Sequence, residues 1–213
     1  MTNELPFVYQ ALARRSVAIH TTTNLIDFDG NRAALQNLFN ATPLEVEVDA
    51  VVIDLRGNPG GIGGLSMGIG GHFLSEPTNL GTMKNSYGEL NFNTNPQTIS
   101  ASGAAVTPME TPLFILIDEM SASTSEIFAG GMKEAERATI VGRRTPGMAL
   151  PAVAVDLPNG DVFYYAIASF TLPSGDVIEG VGVSPEIPVT LNAESYSSSP
   201  DPDLAASIEA LMN

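Results

Sequence analysis

Three serines, Ser121, Ser123 and Ser125, stand within five residues of one another in the stretch LFILIDEMSASTSEIFAGGMKEAERATIVGRRTPGM. The apolar run PLFILID before them reads as a buried strand, and TSEIFAGGMKEAE after them as a helix. The serines therefore fill a strand-to-helix turn. Ser123 precedes Glu126 by three residues, the S-x-x-E pattern of a capping box. On that reading it stabilises the helix by about 1 kcal/mol. The same geometry suits a nucleophile. A serine on such a turn exposes its hydroxyl at the sheet edge, with the free N–H groups of the helix N-terminus behind it. Those groups can stabilise an oxyanion, and losing one such donor costs roughly 3 kcal/mol in other enzymes.

A second stretch, DLRGNPGG, lies at the carboxyl end of another apolar run, VDAVVIDLR. Asp54, Arg56 and the residues from Gly57 to Gly61 thus fall where an open α/β sheet places ligands. Glycines there let backbone N–H groups approach a bound oxygen, although a tight turn alone would use them too. No Lys-Ser/Thr pair follows at phosphate-loop spacing, and the dinucleotide pattern G-x-G-x-x-G is not met, so phosphate binding is not expected. Two histidines, His20 and His72, leave little material for a histidine metal site, and the chain has no cysteine. No metal and no cofactor are expected.

The elements that would hold these residues follow from periodicity. SVAIHTT reads as a short strand, and DFDGNRAALQNLFNA as a helix with Leu35, Leu38 and Phe39 on one face and Asp27 or Asp29 as cap. A helix follows the glycine-rich turn, and ATIVG is a further strand. The polar segment from Glu76 to Glu110 reads as a long irregular loop covering a cleft. From Ala149 onward a meander is expected, turning at Pro158–Asp161 and Pro173–Gly175. SSSPDP reads as a linker and DLAASIEALMN as an amphipathic terminal helix. Strands alternating with helices, then hairpins, give an α/β domain with a mixed sheet.

The 213 residues suffice for one large core. The net charge of −15 repels phosphate backbones and anionic lipid, which argues against nucleic-acid and membrane partners. No run reaches the roughly 18 apolar residues of a membrane span.

DLRGNPGG, DEMSASTSEIFAGGMKEAERATIVGRRT and EGVGVSPEIPV, in this order, resemble the tail-specific (C-terminal processing) serine peptidase family, from about Val17 to the terminal helix. The resemblance implies a crotonase-like (Clp protease-like) α/β spiral core with a mixed sheet and a C-terminal helix. It implies Ser123 as the nucleophile of a serine endopeptidase, with the N–H groups of Gly60, Gly61 and Thr124 as the oxyanion hole. The substrate would be a peptide or unfolded protein, the location extracytoplasmic (periplasmic or secreted), and an oligomer is open.

One branch of that family uses a Ser-Lys dyad whose lysine ends a T-x-G-K turn. This chain has Thr145-Pro146-Gly147-Met148, and methionine cannot take a proton. Lys133, about ten residues into the helix, is roughly 15 Å along the axis from Ser123. Another branch, typified by tricorn core protease, uses Ser-His-Glu, and its E-x-x-G-V-x-P-D motif matches Glu179 in EGVGVSPE. The histidine of that branch precedes a PDZ domain. The chain is expected to be a single peptidase core over residues 1–213 without a PDZ domain. His20 is the weaker candidate base within it, and His72 is read as a structural histidine. The alternative is a non-catalytic relative of the same fold that binds peptides or apolar ligands.

Overall fold

A computed structural model describes residues 9–12, 15–21, 49–99, 103, 105–192, 195 and 201–212. Its centre is a six-stranded sheet in the order β1-β2-β3-β6-β7-β11. Strands β2 (Arg15–Thr21), β3 (Ala50–Asp54), β6 (Leu113–Ile117), β7 (Thr139–Gly142) and β11 (Ile187–Pro188) run parallel, and β1 (Tyr9–Leu12) pairs antiparallel to β2. β3 and β6 are buried at every residue, which explains their unbroken apolar runs. Val51, Ile53, Ile115 and Ile117 face helices α1 (Gly64–Gly70) and α2 (Thr124–Glu134), within the larger of two cores. Ala50, Val52, Phe114 and Leu116 face the other way, against Leu204 of α3 (Pro202–Met212).

A second sheet, in the order β10-β4-β5, is built from β4 (Asn79–Asn85), β5 (Gly88–Asn93) and β10 (Ser169–Thr171). It packs on the helices: a Cβ at Gly131 of α2 would stand 2.6 Å from Leu80 Cβ of β4. Phe92 and Phe170 meet edge to face in this layer, with centroids 5.4 Å apart. The segment from Glu76 to Glu110 is therefore not irregular throughout. It supplies two paired strands whose buried Leu80 and Phe92 complete the main core, while Glu89, Leu90 and Asn91 are exposed.

β8 (Ala152–Asp156) and β9 (Val162–Ala166) form a separate two-stranded hairpin. Both expected turns are present. Leu157 N–H bonds to the Asp161 carbonyl and Leu172 N–H to the Asp176 carbonyl, each at 2.8 Å. The helix expected over DFDGNRAALQNLFNA lies outside the described residues.

Candidate active site

The three serines have different fates. Ser121 is buried and its Oγ donates to the Leu55 carbonyl at 2.8 Å. Ser125 is buried and its Oγ donates to the Asn58 carbonyl at 3.1 Å. Both stitch the serine turn to the DLRGNPGG turn. Ala122 N–H to Asn58 O, Thr124 Oγ1 to Gly61 O and Gly57 N–H to Asp118 Oδ1 bind the same two turns together. Ser123 is the one left half-exposed.

Ser123 sits at the N-cap of α2 with φ 55° and ψ −120°, a backbone state that L-residues with a side chain rarely adopt. The S-x-x-E box is formed in its return half, since Glu126 Oε2 accepts the Ser123 N–H at 3.0 Å. The Glu126 N–H also donates to the Ser123 main-chain carbonyl at 2.9 Å. The box expected from the spacing is thus compatible with a serine at positive φ.

Gly60 lies directly against it. A Cβ there would stand 2.7 Å from Ser123 Cβ and 2.8 Å from the Thr124 nitrogen, and its φ of 94° suits glycine. The Gly60 N–H itself donates to Asn58 Oδ1 at 2.9 Å. That bond engages the Gly60 N–H within its own turn, and the missing side chain leaves room beside Ser123. The Thr124 and Gly61 N–H groups donate to no other described residue, and Thr124 opens the helix.

Glu126 escaped the sequence reading except as a capping partner. It is fully buried and gathers four donors. Oε1 accepts from Thr145 Oγ1 and from Gly147 N–H at 2.8 Å; Oε2 accepts from Met148 N–H at 2.8 Å and from Ser123 N–H. One carboxylate therefore ties the serine turn to the TPGM turn. Met148 returns the bond, its carbonyl accepting the Ser123 N–H at 3.0 Å. Its side chain is 63% exposed.

Glu179 is half-buried beside the same turn, and Oε2 accepts Ala149 N–H at 2.8 Å and Leu150 N–H at 3.1 Å. His20 lies in β2, in register with Ile53, and its side chain lies outside the described residues. His72 follows α1, and burial lowers its pKa to about 4, so its imidazole is neutral at neutral pH. Lys133 donates to the Ser184 carbonyl at 2.8 Å near the far end of α2.

Arg56 and Asp54 do not face the serine turn as ligand groups. They pair with each other at 2.6 Å, and Arg56 also bonds Asp201 and the buried Asp203 at 2.8 Å. Arg143 holds Asp203 from the other side at 2.8 Å. The DLR triplet thus anchors α3 to the sheet. Among the described residues no cluster of His, Cys, Asp or Glu could hold a metal ion, and no helix is long and apolar enough to cross a membrane.

Ser123 thus stands at positive φ at a helix N-terminus, against a glycine turn. Residues 21–189 match the profile of peptidase family S41, and the chain belongs to that family. It is 31% identical over 142 residues to a carboxyl-terminal-processing protease of Synechocystis sp., covering 67% of this chain and 31% of the relative. It is 33% identical over 169 residues to a chloroplastic C-terminal processing peptidase of Tetradesmus obliquus, covering 76% and 33%. The solved photosystem II D1 C-terminal processing protease superposes with a TM-score of 0.67 at 25% identity, over 90% of this chain and 49% of that one. The chain spans about a third of the length of the curated relatives it matches.

Proposed function

We propose that the chain is the catalytic core of a serine endopeptidase in which Ser123 is acylated by a peptide or unfolded protein. The observation that carries this is the positive-φ Ser123 packed on Gly60 at the start of α2. As a base takes the hydroxyl proton, Ser123 Oγ bonds the scissile carbonyl carbon and the C=O electron pair moves onto oxygen. In this reading the Thr124 and Gly61 N–H groups receive that oxyanion. Collapse breaks the C–N bond, the amine leaves with the proton, and water then releases the acyl group by the reverse sequence.

For the base we favour the Ser-His-Glu arrangement. Met148 has no proton acceptor, and Glu179 sits two backbone amides away from it. His20 is the candidate imidazole within these 213 residues. A lysine at the exposed 148 position, beside the Glu179 carboxylate, would stay protonated. Met148→Lys is therefore expected to raise peptide hydrolysis by less than about 10-fold, and a larger gain would point to a damaged Ser-Lys enzyme instead.

The same reading makes residues 1–213 a single peptidase core with a crotonase-like spiral, in an extracytoplasmic protein. Oligomerisation is left to sedimentation analysis. The exposed methionine at the lysine position favours one second reading, a non-catalytic peptide-binding relative. A fluorophosphonate probe separates the two: mass added on Ser123 is the result expected of a peptidase. An unlabelled Ser123 leaves the binding module.

A further inference from the structure

The β8–β9 hairpin carries an apolar face on which none of the described residues is seen to pack. Register pairs Val153 with Tyr165 and Val155 with Phe163, so these four side chains share one face. Leu157 and Ile167, one residue beyond each strand, continue the alternation. Of the six, only Val153 is half-buried, and Phe163 is 53% exposed. The Phe163 and Tyr165 rings stack with centroids 5.6 Å apart. Among the described residues β8 and β9 pair only with each other, so each also presents an unpaired edge. A contiguous apolar face of this kind marks an interaction site.

What occupies it follows from position and charge. The hairpin is continuous with the serine site: Met148 accepts the Ser123 N–H, and β8 begins four residues later. Ile167 N–H bonds the Pro151 carbonyl at 2.8 Å and closes the hairpin base beside the Ala149 and Leu150 amides that Glu179 holds. The exposed tip carries Asp156 and Asp161, and the chain carries a net −15. A second copy would bring the same negative charge, which opposes self-association.

We infer that this face is a docking surface for an extended, apolar polypeptide segment flanked by lysine or arginine, a part of the substrate that binds away from the scissile bond. The segment lies along the hairpin, its alternate side chains on the aromatic face and its backbone on a free strand edge. Acidic residues at the tip meet its basic flank. The inference rests on the peptidase reading for the fate of the bound chain, while the binding step stands apart from chemistry.

The test uses the 213-residue Ser123→Ala variant, which cannot turn a peptide over. The probe is a fluorescein-labelled peptide alternating valine with threonine and ending in lysine, followed by fluorescence anisotropy. Phe163→Thr together with Tyr165→Thr is expected to raise Kd by at least about 10-fold. Tyr164→Thr, on the opposite face of the same strand, leaves Kd unchanged, and exchanging the peptide's valines for serine weakens binding as the double variant does. Unaltered binding by the double variant, or equal weakening by Tyr164→Thr, overturns the proposal. So does a concentration-dependent dimer in sedimentation that the double variant abolishes, since the occupant is then a second copy. Fluorophosphonate labelling of the unmutated chain is read in parallel. Hairpin-dependent binding without labelling sinks the peptidase reading and leaves the docking face standing.

Discussion

The Ser123 elbow and the β8–β9 hairpin are separated by a few residues and built on opposite terms. Around Ser123 the polar groups are nearly all committed: Ser121, Ser125 and Glu126 are buried, and each is hydrogen-bonded across two or three chain segments. Among the described residues the hairpin is largely exposed and its strands pair only with each other. Precise placement of one hydroxyl requires over-determination, because the positive φ of Ser123 persists only if its surroundings enforce it. A surface that receives a variable partner needs no such enforcement. Substitutions should therefore act through geometry and stability in the first region and through binding alone in the second.

The strongest attack on the elbow is Gly60→Ala. The added methyl would stand 2.7 Å from Ser123 Cβ and 2.8 Å from the Thr124 nitrogen, in the space the proposed mechanism gives to an oxyanion. The rate of fluorophosphonate labelling should fall by roughly 100-fold, comparable to removing an oxyanion donor. A fully active Gly60→Ala protein would break the contrast between the two regions. Next comes Glu126→Gln, where an amide nitrogen replaces one oxygen that accepts two donors. A cost of about 3 kcal/mol follows from leaving buried donors unmet. For a chain of this size that is a drop of roughly 6–12 °C in Tm, read by calorimetry.

A smaller effect is expected from His72. Its folded pKa lies below its unfolded one, so the unfolded chain takes up a proton first as pH falls. The stability it contributes is complete above about pH 6.5 and is lost progressively down to about pH 4. Urea titrations across that window should show the decline, and His72→Gln should flatten it. Asp201 adds to acid lability lower down. Burial opposes its ionisation, but the Arg56 hydrogen bond and charge and the Leu204 and Asp203 N–H groups together hold its pKa below the usual value. The smallest change is expected in the hairpin: Phe163→Thr with Tyr165→Thr should move unfolding free energy by no more than about 0.5 kcal/mol. A larger loss would mean that the hairpin face is structural.

The central strands were legible in the sequence because burial on both sheet faces forces unbroken apolar runs, as in Ala50–Asp54 and Leu113–Ile117. The serine turn was equally legible as a place. Which serine is left unbonded was not, since Ser121, Ser123 and Ser125 differ only in contacts with a turn some 65 residues away. β4 and β5 were missed because one face of their sheet is wet and polar, and because its third strand, β10, comes from 85 residues further on. Glu126 has the same type and spacing whether it caps a helix or joins two turns. Its place directly before the apolar Ile127 and Phe128 was the one available hint of burial.

At position 148 the fold uses the main chain and leaves the side chain out. The N–H goes to Glu126, the carbonyl to Ser123, and the thioether stands in solvent. Drift at this codon is therefore nearly free of structural selection: a lineage can exchange the residue here while the serine keeps its backbone posture. On the proposed reading, the residue at 148 and the backbone posture of Ser123 are encoded separately, so the side chain here can be exchanged in single mutational steps that leave the elbow folded.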